Sequence, residues 1–359
     1  MNRIKLVLII VIFTAIGFGV ATYLNSDNAK KVISTVTDNL NQDEDKGGSE
    51  ERTSHPLSIE ALRKGEYPGS DIIIEQTLAP GSNYQRYIAS YKSEGLKIYG
   101  LLTVPVGERP NTGWPVIIFN HGYIPPDQYQ TAERYVAYVD AFARNGYIVF
   151  KPDYRGHGNS EGQPFGAYYS PAYTIDVLNA LSTLKRYKDA DPQKIGMWGH
   201  SLGGNITLRA MVVSRDIKAA VLWAGVVGTY DDLMNRWHGI RPTPSSNQEI
   251  AGHINSIRQN LVAEYGTPSD NSSFWQSIDP RFFLKDISGP LQFHQGLADS
   301  EVPLVFSQGL DNDLKNLGKT VEFYTYPGGD HNISSPNFEI AMQRSIDFFN
   351  KYLKGGENG

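Results

Sequence analysis

A serine set among glycines is the first feature of this chain that could do chemistry: Gly199-His200-Ser201-Leu202-Gly203-Gly204. A serine hydroxyl is a poor nucleophile until a base takes its proton, and that base needs an acidic partner to orient it. The five-residue pattern is short, so its surroundings must carry the assignment. Lys194 to Trp198 reads as an apolar strand and Leu202 onward as helix. Ser201 then falls on a sharp strand-to-helix turn, where the flanking positions must be small and the backbone is strained. The helix amino terminus beyond it offers partial positive charge to a developing oxyanion. Ser201 is expected to be the nucleophile.

The base must be chosen among eight histidines. His331 lies in Tyr326-Pro327-Gly328-Gly329-Asp330-His331-Asn332, a loop after the last expected strand and before the terminal helix. Asp299 lies in Gly296-Leu297-Ala298-Asp299-Ser300-Glu301-Val302-Pro303, the loop after the preceding strand. The chain order Ser201, Asp299, His331 is the one a strand-to-helix nucleophile turn requires. Asp330 and Glu301 are rivals for the acid; Asp330 adjoins the base and would struggle to reach its ring. Two backbone N–H groups should hold the oxyanion. Leu202 supplies one. The other is expected from Asn120-His121-Gly122-Tyr123, with Tyr123 N–H the choice and its phenol the alternative. His121 is expected to be a hydrogen-bonded scaffold residue.

These groups need a frame. Val116–Phe119 and Tyr147–Phe150 are short apolar runs of the kind buried on both faces of a sheet, and Lys194–Trp198, Ala219–Trp223, Pro290–Gln295 and Val321–Tyr326 read as further strands of the same series. Helical spacing appears at Thr131–Asn145 (stopped by Gly146), Ala172–Tyr187, from Leu202, and at Phe338–Tyr352. Alternating strands and helices predict a mostly parallel sheet covered on both faces, with chemistry at the strands' carboxyl ends. Asp71–Ile74, Tyr84–Ser90 and Lys97–Val104 precede it as an expected antiparallel opening. Residues 228–285, rich in aromatics and turns, interrupt the rhythm and are expected to be an insertion of a few short helices lying over the strand ends, or an ordinary excursion without functional contact.

The first 56 residues are of another kind. Arg3 and Lys5 precede an uncharged run from Leu6 to Leu24, which as a helix would span roughly 28 Å, the thickness of a bilayer's hydrocarbon core. A membrane anchor is expected over residues 1–24, with a cleaved signal segment as the rival. The positive flank places everything after Leu24 on the extracytoplasmic side. Residues 25–56, with Asp43-Glu44-Asp45 and Gly47-Gly48, read as a flexible polar linker. Residues 57–355 form the expected catalytic domain.

Composition removes several classes of function. Of 359 residues, 33 are Lys or Arg and 38 Asp or Glu, a net charge of −5, so nucleic acid is not expected as a partner. Cysteine is absent, which excludes disulfides, thiolate metal sites and cysteine nucleophiles.

With these motifs assembled, the chain resembles the α/β-hydrolases, and among them the catalytic domain of prolyl oligopeptidase-like serine peptidases. The likeness runs from about Tyr84 to Leu353. It is carried by Asn120-His121-Gly122, Asp153-Tyr154-Arg155-Gly156-His157-Gly158, the Ser201 turn, Asp299 with Val302-Pro303, and Gly329-Asp330-His331. The resemblance implies that Asp153 and Arg155 fix their loop structurally. Leu202 departs from it: those peptidases often carry an aromatic residue there, whereas leucine is common in esterases and lipases. The chemistry expected is acyl transfer by a Ser201–His331–Asp299 triad on a small peptide or ester. It needs no cofactor and no metal. Peptidase and carboxylesterase remain open, and a binding protein that kept the fold is the remote third reading.

Overall fold

The computed structural model describes residues 55–237, 248–287 and 289–355. The expected anchor and all but the last two residues of the expected linker lie outside them. Among the described residues no helix is long and apolar enough to cross a membrane.

The first described helix is α1 (Ile59–Lys64), followed by β1 (Ile73–Leu78), β2 (Tyr84–Ser93) and β3 (Leu96–Pro105). Then come β4 (Trp114–Asn120), α2 (Val136–Arg144), β5 (Ile148–Pro152), α3 (Ala172–Lys185), β6 (Ala190–His200), α4 (Leu202–Val213) and β7 (Ala220–Trp223). Residues Gly228 to Lys285 hold α5 (Tyr230–Asn235), α6 (Gln248–Tyr265), α7 (Ser272–Ile278) and most of a 3-10 stretch, Pro280–Asp286. The chain closes with β8 (Leu291–Gly296), α8 (Leu304–Asn316), β9 (Val321–Tyr326) and α9 (Phe338–Leu353).

The strands form one sheet in the order β1-β2-β3-β5-β4-β6-β7-β8-β9. The first three pair antiparallel and β3 runs antiparallel to β5; from β5 to β9 every pairing is parallel. Period-two alternation sorts side chains between the faces. Val116, Ile118, Met197 and Leu222 enter one core with α1, α3, α4 and α8; Ile117, Phe119, Trp198 and Val221 enter the other with α2 and α9. Phe119 stacks on Trp198 with ring centroids 4.2 Å apart, locking β4 beside β6 just below the loops that carry the site.

Three expectations need correction, and one helix was not expected. The first strand is Ile73–Leu78, not Asp71–Ile74. The first helix of the parallel part begins at Val136, not Thr131. Its intended first turn is pulled out of helix, because Thr131 Oγ1 donates to the Asp153 carboxylate and Lys151 Nζ to the Glu133 carbonyl. Arg134 and Tyr135 then sit at φ 55° and 53°. Helix α8 was hidden by a glycine at position 309 and three Asp or Asn residues in its interior, all poor helix formers. The insertion is not made only of short helices, since α6 runs 18 residues. Its described part has a small core of its own: Leu57 and Tyr169 pack with Tyr230, Leu261, Phe274, Trp275 and Ile278.

Buried titratable groups set the pH dependence of stability. His121, His157, His200 and His294 are each at most 3 % exposed, and burial holds all four down, His157 to about 4 and His200 to about 3. Burial raises Asp153 and Asp279 to about 6 and Asp176 in the same direction. A lowered histidine contributes stability above the unfolded value near 6.5 and loses it as pH falls toward the folded value; the raised carboxylates act oppositely below about 6. Each group is worth about 1.4 kcal/mol per pH unit within its window, and the four histidines outnumber the three carboxylates. The melting temperature is therefore expected to fall by several degrees from pH 7 to pH 5, as scanning fluorimetry would read; a flat or rising profile would contradict this.

Candidate active site

Ser201 occupies the turn between β6 and α4 with φ 54° and ψ −117°, a conformation that costs of order 1–3 kcal/mol and must be imposed by its surroundings. Hydrogen bonds on both sides impose it. Ser201 N–H donates to the Trp223 carbonyl, and the Ser201 carbonyl accepts from Gly204 and Val226. A Cβ on Gly203 would collide with the Asn120 and His121 backbone, so the turn closes only because residue 203 lacks one. Ser201 Oγ is buried, and among the described residues no protein group is hydrogen-bonded to it.

Asp299 and His331, from the loops after β8 and β9, come together. His331 Nδ1 lies 3.0 Å from Asp299 Oδ2. That oxygen also accepts from Gln295 Nε2 at 2.7 Å, while Oδ1 accepts from the Glu301 and Val302 amides at 2.8 and 3.0 Å. Burial pushes the Asp299 carboxyl up, but the His331 hydrogen bond and charge and these amides outweigh it and hold it below its ordinary value. A carboxylate can only accept, so His331 carries its proton on Nδ1 and leaves Nε2 as the basic nitrogen.

Neither rival for the acid takes the place of Asp299 at His331 Nδ1. The Asp330 carboxylate accepts from Ser334 N–H and Oγ at 2.8 and 2.9 Å. Glu301 Oε2 lies 3.6 Å from His331 Nε2, on the side away from Asp299.

Ser201 and His331 line one cavity of about 470 Å³ together with Gly122, Tyr123, Arg134 and Glu301. Leu202 is the first residue of α4, where a helix leaves its amides without intrahelical acceptors. Tyr123 reaches the cavity from the loop after β4, while Gly122 N–H is turned to Tyr135 Oη at 3.0 Å. His121 is buried between the stacked rings of Tyr129 and Tyr154, its Nδ1 2.7 Å from the Gly122 carbonyl. Arg155 forks onto Asp176, and Asp153 accepts from Tyr129 and Thr131. These bonds tie the loop after β5 to α3 and to the segment after β4.

Sequence reasoning missed three contributors. Trp237, at the start of the insertion, donates its indole N–H to the Glu301 carbonyl at 2.8 Å, so the insertion touches the loop that carries Asp299. Tyr135 and His200 join the loops of the site by hydrogen bonds. Neither carries a local motif beyond the unspecified position before Ser201. A second cavity of about 210 Å³, at Tyr230, Trp275, Asp279 and Phe282, lies within the insertion, and neither Ser201 nor His331 lines it.

Sheet order, nucleophile turn and imidazole–carboxylate pair define an α/β-hydrolase. The chain belongs to the serine aminopeptidase S33 family, which matches residues 115–334. It is 24% identical over 260 residues to "Uncharacterized peptidase YtmA" of Bacillus subtilis, covering 70% of this chain and 88% of that one. Among solved structures it is similar to the acylaminoacyl peptidase of Pyrococcus horikoshii, with TM-score 0.61 and 24% identity over 77% of this chain and 43% of that one. It is equally similar to the acetyl xylan esterase of Paenibacillus sp. R4, with TM-score 0.61 and 20% identity over 82% and 92%. The chain is a serine hydrolase, and both peptidases and esterases are among its neighbours.

Proposed function

We propose that the chain hydrolyses small peptides through an acyl-enzyme formed on Ser201. One observation carries the reading: His331, held at Nδ1 by the Asp299 carboxylate, lines the same cavity as Ser201. Ser201 Oγ attacks the scissile carbonyl while His331 Nε2 takes its proton, and Asp299 stabilises the imidazolium that forms. The oxyanion is held by the Leu202 and Tyr123 amides. His331 returns the proton to the leaving amine as the carbon–nitrogen bond breaks. Water, deprotonated by His331 Nε2, then attacks the acyl carbon, and His331 returns that proton to Ser201 Oγ as the ester bond breaks and the acid leaves. A cavity of about 470 Å³ falls within the range of small-ligand sites.

The motifs shared with prolyl oligopeptidase-like enzymes and the S33 description support the peptidase reading. Leu202 and the likeness to an acetyl xylan esterase over 92% of that chain support carboxylesterase as the second. Kinetics on an alanyl-alanine p-nitroanilide and on p-nitrophenyl acetate separate them. Turnover of the anilide is expected; turnover of the ester alone replaces peptidase with esterase, and turnover of neither removes both.

Residues 6–24 are proposed to anchor the chain, with the catalytic unit on the extracytoplasmic side. Carbonate-resistant membrane association and digestion by protease added to intact cells are the expected results; release by carbonate, or a chain shortened at its amino end, overturns the anchor.

A further inference from the structure

Three loops must hold their places for the proposed chemistry: the one after β4, the Ser201 turn, and the one bearing His331. A single chain of hydrogen bonds joins all three. Gly122 N–H donates to Tyr135 Oη at 3.0 Å; Tyr135 Oη lies 2.7 Å from His200 Nδ1; His200 Nε2 lies 2.9 Å from the His331 carbonyl oxygen.

The direction of every bond is fixed by chemistry. A carbonyl can only accept, so His200 carries its proton on Nε2. Buried and lowered to about 3, the ring is neutral, which leaves Nδ1 a bare acceptor for the Tyr135 hydroxyl. The phenolic oxygen in turn accepts from Gly122. The polarity therefore runs one way, from the loop after β4 to the backbone of the base.

The fold gives up regular structure to make this contact. Arg134 and Tyr135 are consecutive non-glycine residues in the left-handed region, and strain of that kind gathers where surroundings over-determine a functional geometry. The Tyr135 ring is held edge-on against Phe119 and His200, with centroids 5.4 and 5.6 Å away. Contact is close enough that a Cβ on Gly122 would stand 2.7 Å from Tyr135 Oη and 3.0 Å from His200 Nδ1.

We infer that Tyr135 and His200 are positioning residues: a strut that sets the oxyanion loop against the nucleophile turn and the base. The strut rests on the proposed acyl-transfer function, because its role is to fix the Tyr123 amide, next to Gly122, relative to Ser201 and His331. Both side chains also line the cavity, and the strut acts through the three loops that it holds.

Tyr135→Phe keeps the ring packing but strands the Gly122 amide and His200 Nδ1. With p-nitrophenyl acetate, kcat is expected to fall about 10- to 100-fold with KM within twofold, since loss of one oxyanion donor outright costs 10²–10³. Affinity for phenylboronic acid, whose tetrahedral adduct mimics the transition state, is expected to fall by the same factor. A kcat within twofold of the parent overturns the strut, as does a kcat loss with unchanged boronate affinity. Should the variant fail to fold, nitrogen-15 NMR of histidine-labelled parent protein decides. A proton on His200 Nε2 with a bare Nδ1 supports the strut, and a proton on Nδ1 overturns it. A parent protein that turns over no ester or anilide and binds no boronate refutes the acyl-transfer reading instead, and the NMR result stands apart from it.

Discussion

Ser201→Ala is expected to lower kcat for ester or anilide hydrolysis by about 10⁴-fold or more while changing the protein's stability little. The hydroxyl is the proposed nucleophile, and among the described residues no protein group is hydrogen-bonded to it. Removing it deletes that nucleophile and breaks no hydrogen bond within the described protein. The strained backbone is not relieved, because alanine at φ 54° is as uncomfortable as serine, and the hydrogen bonds of the turn are made by backbone atoms. Steady-state kinetics and a thermal melt on the same preparation check both halves. Activity above 1% of the parent, or a marked loss of stability, would contradict the assignment.

Asp299→Asn should come close behind, with kcat reduced about 10³- to 10⁴-fold. The carboxylate accepts four hydrogen bonds, from Gln295, His331, Glu301 and Val302. An asparagine oxygen turned to the two backbone amides would set its NH₂ against two donors. His331 can answer only by moving its proton from Nδ1 to Nε2, which removes the basic nitrogen from the cavity. Stability is expected to drop as well, by about 1–3 kcal/mol at neutral pH, for the buried donors left unpaired. The pH dependence gives a further check. The Asp299 carboxyl is held below its ordinary value, so its contribution is present above the unfolded pKa near 3.9 and lost as pH falls through the folded one. The stability gap between parent and variant should narrow below about pH 4.

What the sequence made legible follows from where the information sits. The nucleophile turn is local: strand, glycine, serine and helix occupy a dozen neighbouring residues, so a reader of the chain meets them together. Asp299 and His331 are far apart, yet each lies in the loop after an expected strand, and the topology requires such loops to open on one edge. Helix α8 stayed hidden because glycine and aspartate obscure its helical spacing. The late start of α2 was invisible because Thr131 is claimed by Asp153 and Tyr135 by Gly122 and His200, partners that only the folded sheet brings within reach. The same reason hid the contact of Trp237 with the Glu301 carbonyl. Side chains whose work is to tie distant loops leave no spacing to read.

Fluorophosphonate labelling of the folded chain, followed by mass spectrometry of its peptides, tests most directly whether Ser201 is the activated nucleophile. A single phosphonyl adduct at Ser201 is expected, absent from Ser201→Ala and greatly slowed in His331→Ala. An adduct on another residue, or none on protein whose melt shows it folded, would contradict the assignment.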